Sequence, residues 1–111
     1  MSIDHIGLVC EEPEVYAHIL EQYGGRIIAS GVANEFGVEC FFVDMGNIII
    51  ELITPLEDNK IKKFMNENKS CLHHIAIDVD KLDNAKQGAI PNMKVNFKLN
   101  EKLLIEEVKY E

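Results

Sequence analysis

An α+β fold of two paired βαβββ modules, the second shortened by about one strand, is predicted by three observations. First, Asp4-His5-Ile6-Gly7-Leu8-Val9 recurs as His73-His74-Ile75-Ala76-Ile77-Asp78, with histidine on histidine and matching small or aliphatic residues over the next three positions. Second, both repeats close alike, with Ile48-Ile49-Ile50-Glu51-Leu52-Ile53 matched by Leu103-Leu104-Ile105-Glu106-Glu107-Val108. Third, short β-branched and apolar runs separated by turn residues fill both repeats, and helical spacing is confined to a few segments.

Ile3 to Val9 reads as a strand closed by Glu11-Glu12-Pro13, where acidic residues suit the positive end of a following helix. From Glu14, the residues Tyr16, Ile19, Leu20 and Tyr23 keep the i, i+3, i+4, i+7 spacing of an amphipathic helix, and Gly24-Gly25 stops it. His18 falls on the polar side of that helix. Arg26 to Ser30, Val38 to Asp44 and Asn47 to Thr54 read as three strands, with Met45-Gly46-Asn47 as a tight hairpin turn between the last two. Pro55 ends the run, and Ile61, Phe64 and Met65 give Lys60 to Glu67 a helical period. Leu72 to Val79 is a strand, Lys81 to Gln87 a short helix, and Lys94 to Leu99 and Leu103 to Tyr110 two more strands. The interval from His74 to Glu106 is fourteen positions shorter than that from His5 to Glu51, about one strand with its connections.

The 111 residues are expected to form a single domain, since halves of this size sit near the lower limit for a hydrophobic core. Its parts are a first module at about 1–55, a linker helix at about 56–70 and a second module at about 71–111. An apolar share of 47% with 27% charged residues places the chain among globular proteins rather than disordered ones. Nineteen acidic against eleven basic residues leave a net charge of -8, which opposes nucleic-acid binding. The longest apolar runs fall far short of the ~20 residues of a membrane span, and Met1-Ser2-Ile3-Asp4 has no basic, apolar signal character. A soluble, cytoplasmic protein is expected. Cys10, Cys40 and Cys71 are odd in number and lack CxxC spacing, so they read as reduced, mostly buried side chains.

Strand parity sorts the polar residues of the repeats. Alternate side chains point to opposite faces, so Ile6 and Leu8, with Ile75 and Ile77, form the faces a helix would cover. His5 and His74 then face the other way, into a common interior. Glu51 lies opposite Ile50 and Leu52 in the same sense. A carboxylate buried in an apolar strand must be salt-bridged, solvated at an edge or neutralised by a metal, because an uncompensated buried charge is expensive. The repeated placement of His5, Glu51, His74 and Glu106 favours a divalent metal. Two imidazoles and two carboxylates suit Mn, Fe, Co, Ni or Zn better than Ca or Mg. His73 has the opposite parity to His74 and reads as a supporting residue rather than a ligand.

These residues resemble the vicinal-oxygen-chelate superfamily, whose members pair βαβββ modules around a metal. Within it, Ile3-Asp4-His5-Ile6-Gly7, Gly46-Asn47 to Glu51-Leu52, Pro55-Leu56, Ile61 to Phe64 and Leu72-His73-His74-Ile75-Ala76 are most similar to methylmalonyl-CoA epimerases. The resemblance implies metal ligands at His5, Glu51, His74 and Glu106, with Glu106 as the base that removes a proton α to a carbonyl. It places a second proton-transfer candidate near Glu39. The implied substrate is small and carboxylated, or linked to CoA. The arginine that glyoxalase I carries shortly after its first ligand is missing here, which leaves a glyoxalase I-like lyase as an alternative. A non-catalytic binding protein on the same fold is another, because the glycine-rich loop and Phe-Leu-His-Pro-like turn usual in epimerases have no counterpart around Asn96-Phe97-Lys98-Leu99-Asn100. A homodimer is expected, with a second copy covering the edge that a missing strand exposes.

Overall fold

Ten elements follow the repeat, in a computed structural model that describes residues 1–67 and 71–111. They are β1 Ser2–Val9, α1 Pro13–Gln22, β2 Arg26–Ala33, β3 Val38–Asp44, β4 Ile49–Pro55, α2 Lys60–Glu67, β5 Leu72–Asp78, β6 Lys86–Gln87, β7 Met93–Asn100 and β8 Leu103–Tyr110. The part of the expected linker helix at 68–70 lies outside the described residues. The eight strands form one sheet in the order β2-β3-β4-β1-β5-β8-β7-β6. This order is palindromic in the repeat, with each first strand central and each second strand at an edge. Within each half the first strand pairs parallel to the last, and the two halves join through the antiparallel pair β1/β5.

The sheet has two unlike faces. On one, α1 packs against Cys10, Val43 and Leu52, with Leu8, Phe41 and Ile50 at the margin. On the other, a larger cluster from both halves includes Val9, Val38, Cys40, Phe42, Ile53, Ala76, Met93, Val95 and Val108. The hairpin between β3 and β4 closes as expected, with the Met45 amide donating to the Ile48 carbonyl at 2.9 Å and Gly46 at φ +96°. The amide of Gly46 also donates to the Asp44 carboxylate at 2.8 Å.

Two helical expectations change. Helix α1 starts with Pro13 in its first turn and Glu14 beside its positive end, but it buries Pro13 and Ala17 rather than the predicted aromatic face. Tyr16, Ile19 and Tyr23 are 39%, 44% and 80% exposed, and only Leu20 of the predicted set reaches the core. A helix lying close on a sheet needs a small residue at its contact line, and Ala17 supplies it. The helix expected over Lys81 to Gln87 is absent. Asn84 sits there at φ +52°, in the left-handed region that Asn tolerates, and the segment ends in the two-residue strand β6. The shortening of the second half therefore falls mainly on its helix, while its second strand survives as a stub.

Candidate metal centre

The four predicted residues come together. His5 on β1, Glu51 on β4, His74 on β5 and Glu106 on β8 belong to the four central strands, and all four are buried. Strand alternation aims them at the face opposite α1, as parity requires. The Nε2 atom of His5 lies 3.0 Å from Glu51 Oε1, 2.9 Å from Glu106 Oε1 and 3.2 Å from His74 Nε2. His74 Nε2 lies 3.2 Å from each carboxylate oxygen. One ligand atom from each residue falls within 4.8 Å of all the others.

These contacts are close without being aligned. Glu51 Oε1 and Glu106 Oε1 are buried and have no hydrogen-bond partner of acceptable geometry, although each sits between two imidazole nitrogens. Both observations fit four donor atoms arranged around a shared point rather than directed at one another. An ion with bonds of about 2.0–2.1 Å separates adjacent ligands by about 2.9–3.4 Å, the lower figure for octahedral and the upper for tetrahedral geometry. The five separations given above lie in that range. The residues present thus fit a divalent cation by their spacing, donor set and orphaned oxygens.

The carboxylates of the cluster favour the protonated form of both imidazoles. Burial disfavours charge on His5, yet its hydrogen bond to Asp4 and its close contacts with the Glu106 and Glu51 carboxylates outweigh it and push its pKa up to about 11. Burial likewise opposes charge on His74, and Glu106 and Glu51 raise its pKa above the usual 6.5. Burial would raise Glu51, but His5 and His74 hold it below the usual carboxylate range.

Two irregularities in the pairing of β1 with β5 shape the surroundings. The register skips between Ile3 and His5 and again between Gly7 and Leu8, so Asp4 and His73 are each left unpaired. A bulge of this kind reverses the parity of the extra residue. Asp4 is thereby brought to His5 Nδ1 at 2.7 Å, and it also accepts a hydrogen bond from the Tyr110 hydroxyl at 2.9 Å. His73 is brought to His74 Nδ1 at 2.8 Å and lines the same cavity, which corrects the opposite-face reading while leaving it outside the ligand set. Sequence reasoning missed Asp4 and Tyr110. The available signal was a polar residue directly before each histidine of the repeat.

A cavity of about 640 Å³ opens above the cluster. Glu51, His74 and Glu106 lie at its floor, Val38, Cys40, Ile53 and Phe97 among its apolar walls, and Lys60 and Lys86 add positive charge to its lining against the single further carboxylate of Glu35. Glu39 is not part of it. Val38 and Cys40 are the buried, cavity-lining members of β3, so Glu39 points to the other face of the sheet. His18 is exposed on α1 beside Gln22, as expected. Cys10, Cys40 and Cys71 are free thiols, the first two buried.

Residues 4–96 match the glyoxalase/bleomycin resistance protein/dioxygenase superfamily. The chain belongs to this superfamily. The mitochondrial methylmalonyl-CoA epimerase of Homo sapiens is 33% identical over 86 residues, 75% of this chain and 49% of that protein. That of Mus musculus is 42% identical over 53 residues, 46% of this chain and 30% of that protein. The chain thus matches at most about half the length of these relatives. Methylmalonyl-CoA epimerase from Mycobacterium tuberculosis superposes with a TM-score of 0.90 at 18% identity, covering 99% of this chain and 88% of that one. A variant of the Streptomyces coelicolor epimerase in complex with 2-nitronate-propionyl-CoA gives 0.86 at 21% identity, covering 99% and 97%. These structures establish the superfamily fold for both halves of the chain, including the shortened one. Among the described residues no helix is long and apolar enough to cross a membrane.

Proposed function

We propose that this chain is a divalent-metal-dependent epimerase or isomerase, similar to methylmalonyl-CoA epimerase, that removes a proton α to the carbonyl of a carboxylated, CoA-linked acyl group. The observation that carries the reading is the convergence of four buried donors, two of them carboxylate oxygens without aligned partners, beneath a largely apolar cavity that Glu51, His74 and Glu106 line. His5, Glu51, His74 and Glu106 would hold the ion. A divalent cation bound there supplies Lewis-acid stabilisation of the negative charge that develops on the carbonyl oxygen as the α proton leaves.

The remaining chemistry belongs to the chain. Glu106 meets both imidazoles through Oε1, and its second oxygen would take the α proton. Glu51 stands at the same place in the other half of the repeat, and it is the second carboxylate on the cavity floor. The walls around Val38, Ile53 and Phe97 keep water from a carbanion-like centre, and Lys60 and Lys86 favour an anionic acyl group. The donor set suits Mn, Fe, Co, Ni or Zn.

The test is deuterium incorporation at the α carbon of methylmalonyl-CoA in D2O, followed by proton NMR. Ion-loaded protein is expected to catalyse exchange, chelation to abolish it, and Glu106→Gln to slow it by about 10²- to 10⁴-fold. Binding of the thioester without exchange would replace the enzyme by a binding protein on the same fold.

A further inference from the structure

Each ligand histidine of the repeat is held at Nδ1 by the residue directly before it, and in both halves a bulge makes that contact. The two clamps differ in chemistry. Asp4 is an anion and accepts from His5, with Tyr110 as its second partner. His73 is an imidazole 2.8 Å from another imidazole, so one of the two rings must donate and the other accept. We propose that His73 is a positioning residue that accepts the Nδ1–H of His74, aims the His74 Nε2 lone pair at the ion, and thereby presents its own Nε2–H to the ligand in the cavity.

The reasoning rests on the metal reading above and on tautomer counting. A neutral imidazole carries one N–H, so a ring that ligates through Nε2 must keep its proton on Nδ1. His74 Nδ1 then donates, and His73 can only accept at Nδ1. A neutral ring that accepts at Nδ1 carries its proton on Nε2. Among the described residues no hydrogen bond reaches His73 Nε2, and the ring lines the cavity, so this N–H faces bound ligand rather than protein. Edge-on contacts to Phe64 and Phe97, with ring centroids 5.0 and 6.1 Å away, fix the ring plane. The corresponding Asp4 has no hydrogen to offer, so the donor exists in one half only.

The first experiment needs no substitution. Histidine labelled with ¹⁵N in zinc-loaded protein is expected to show His74 protonated at Nδ1 and His73 protonated at Nε2 alone. A His73 that carries its proton on Nδ1, or on both nitrogens, overturns the proposal. Two variants separate its halves. His73→Phe keeps the ring but no acceptor, and zinc affinity by calorimetry should fall about 10- to 100-fold while the melting curve stays cooperative. His73→Asn puts an amide oxygen near the Nδ1 position and nothing at Nε2, so zinc affinity should largely recover while binding of malonate to the zinc-loaded protein weakens. Wild-type zinc affinity in a folded His73→Phe overturns the positioning role alone, and unchanged malonate affinity in His73→Asn overturns the donor role. A native protein that binds no zinc, manganese or cobalt overturns the metal reading itself.

Discussion

Register places Gly7 of β1 opposite His74 of β5, and a Cβ at Gly7 would fall on the His74 imidazole ring. Glycine is needed there because the ring occupies the space a side chain would take. Gly7→Ala should cost about 1–3 kcal/mol of stability through overpacking and weaken ion binding by displacing the ring, both readable by melting and calorimetric titration. Wild-type values for both would mean that the ring can move without consequence. The protons on the cluster make a second prediction. His5 and His74 have folded pKa values above their usual 6.5, so their contribution is complete below pH 6.5 and is lost as pH rises, for His5 through about 11. Glu51 lies below its usual 4.5, so its contribution is present above pH 4.5 and fades as pH falls. Chelator-treated protein should therefore be most stable between pH 4.5 and 6.5. Ion binding must displace those protons, so affinity should rise with pH, and titrations in buffers of different ionisation enthalpy should show proton release. Binding with no proton release would show that the imidazoles are neutral before the ion arrives.

At the scale of elements, α1 separates what periodicity reveals from what it cannot. The spacing of Tyr16, Ile19, Leu20 and Tyr23 announces a helix correctly, but which face turns inward depends on how near the sheet lies, and Ala17 marks that contact. Ala17→Leu should destabilise by about 1–3 kcal/mol, while Ile19→Ala should stay within about 0.5 kcal/mol, and urea unfolding would show the reverse order if the predicted face were the buried one. The convergence of the buried quartet was legible for the opposite reason. A period of two fixes the facing of His5, Glu51, His74 and Glu106 from sequence alone, and the repeat supplies each with a counterpart. His73 escaped because a bulge is set by the register against a partner strand, which its own sequence does not record. Glu39 fails by the same rule of one residue, since Val38 and Cys40 hold the cavity side of β3. The shortened interval was counted correctly, yet length alone does not say which element is lost, and Asp83-Asn84 turned out to be turn-forming residues where a helix was expected.

Across the whole molecule the sheet curls until its two edges meet. Gly31 on β2 lies so close to the Ala89 carbonyl, just after β6, that a Cβ at Gly31 would collide with that backbone oxygen. Beside it the Gln87 amide donates to the Glu35 carboxylate at 3.3 Å, and the Lys86 ammonium stands 5.9 Å over the Phe36 ring. The edge that a shortened second half would expose is thus met by the chain's own first half, which removes that particular reason for a second copy to cover it. The same closure encloses the cavity, because Phe36, Lys86, Gly88 and Ala89 all line it. The four donors sit on the central strands, away from this seam. Gly31→Ala should therefore pull the edges apart at a cost of about 1–3 kcal/mol, since a backbone oxygen cannot swing aside as a flexible side chain can. Ser30→Ala, an exposed neighbour on the same strand, serves as the control. In Gly31→Ala, ion affinity should stay near wild type while affinity of the ion-loaded protein for methylmalonyl-CoA falls, because the metal centre is built by strand pairing and the cavity by closure. Equal losses of both affinities would show instead that the seam holds the donors in place, and that the centre and the curl form one cooperative unit.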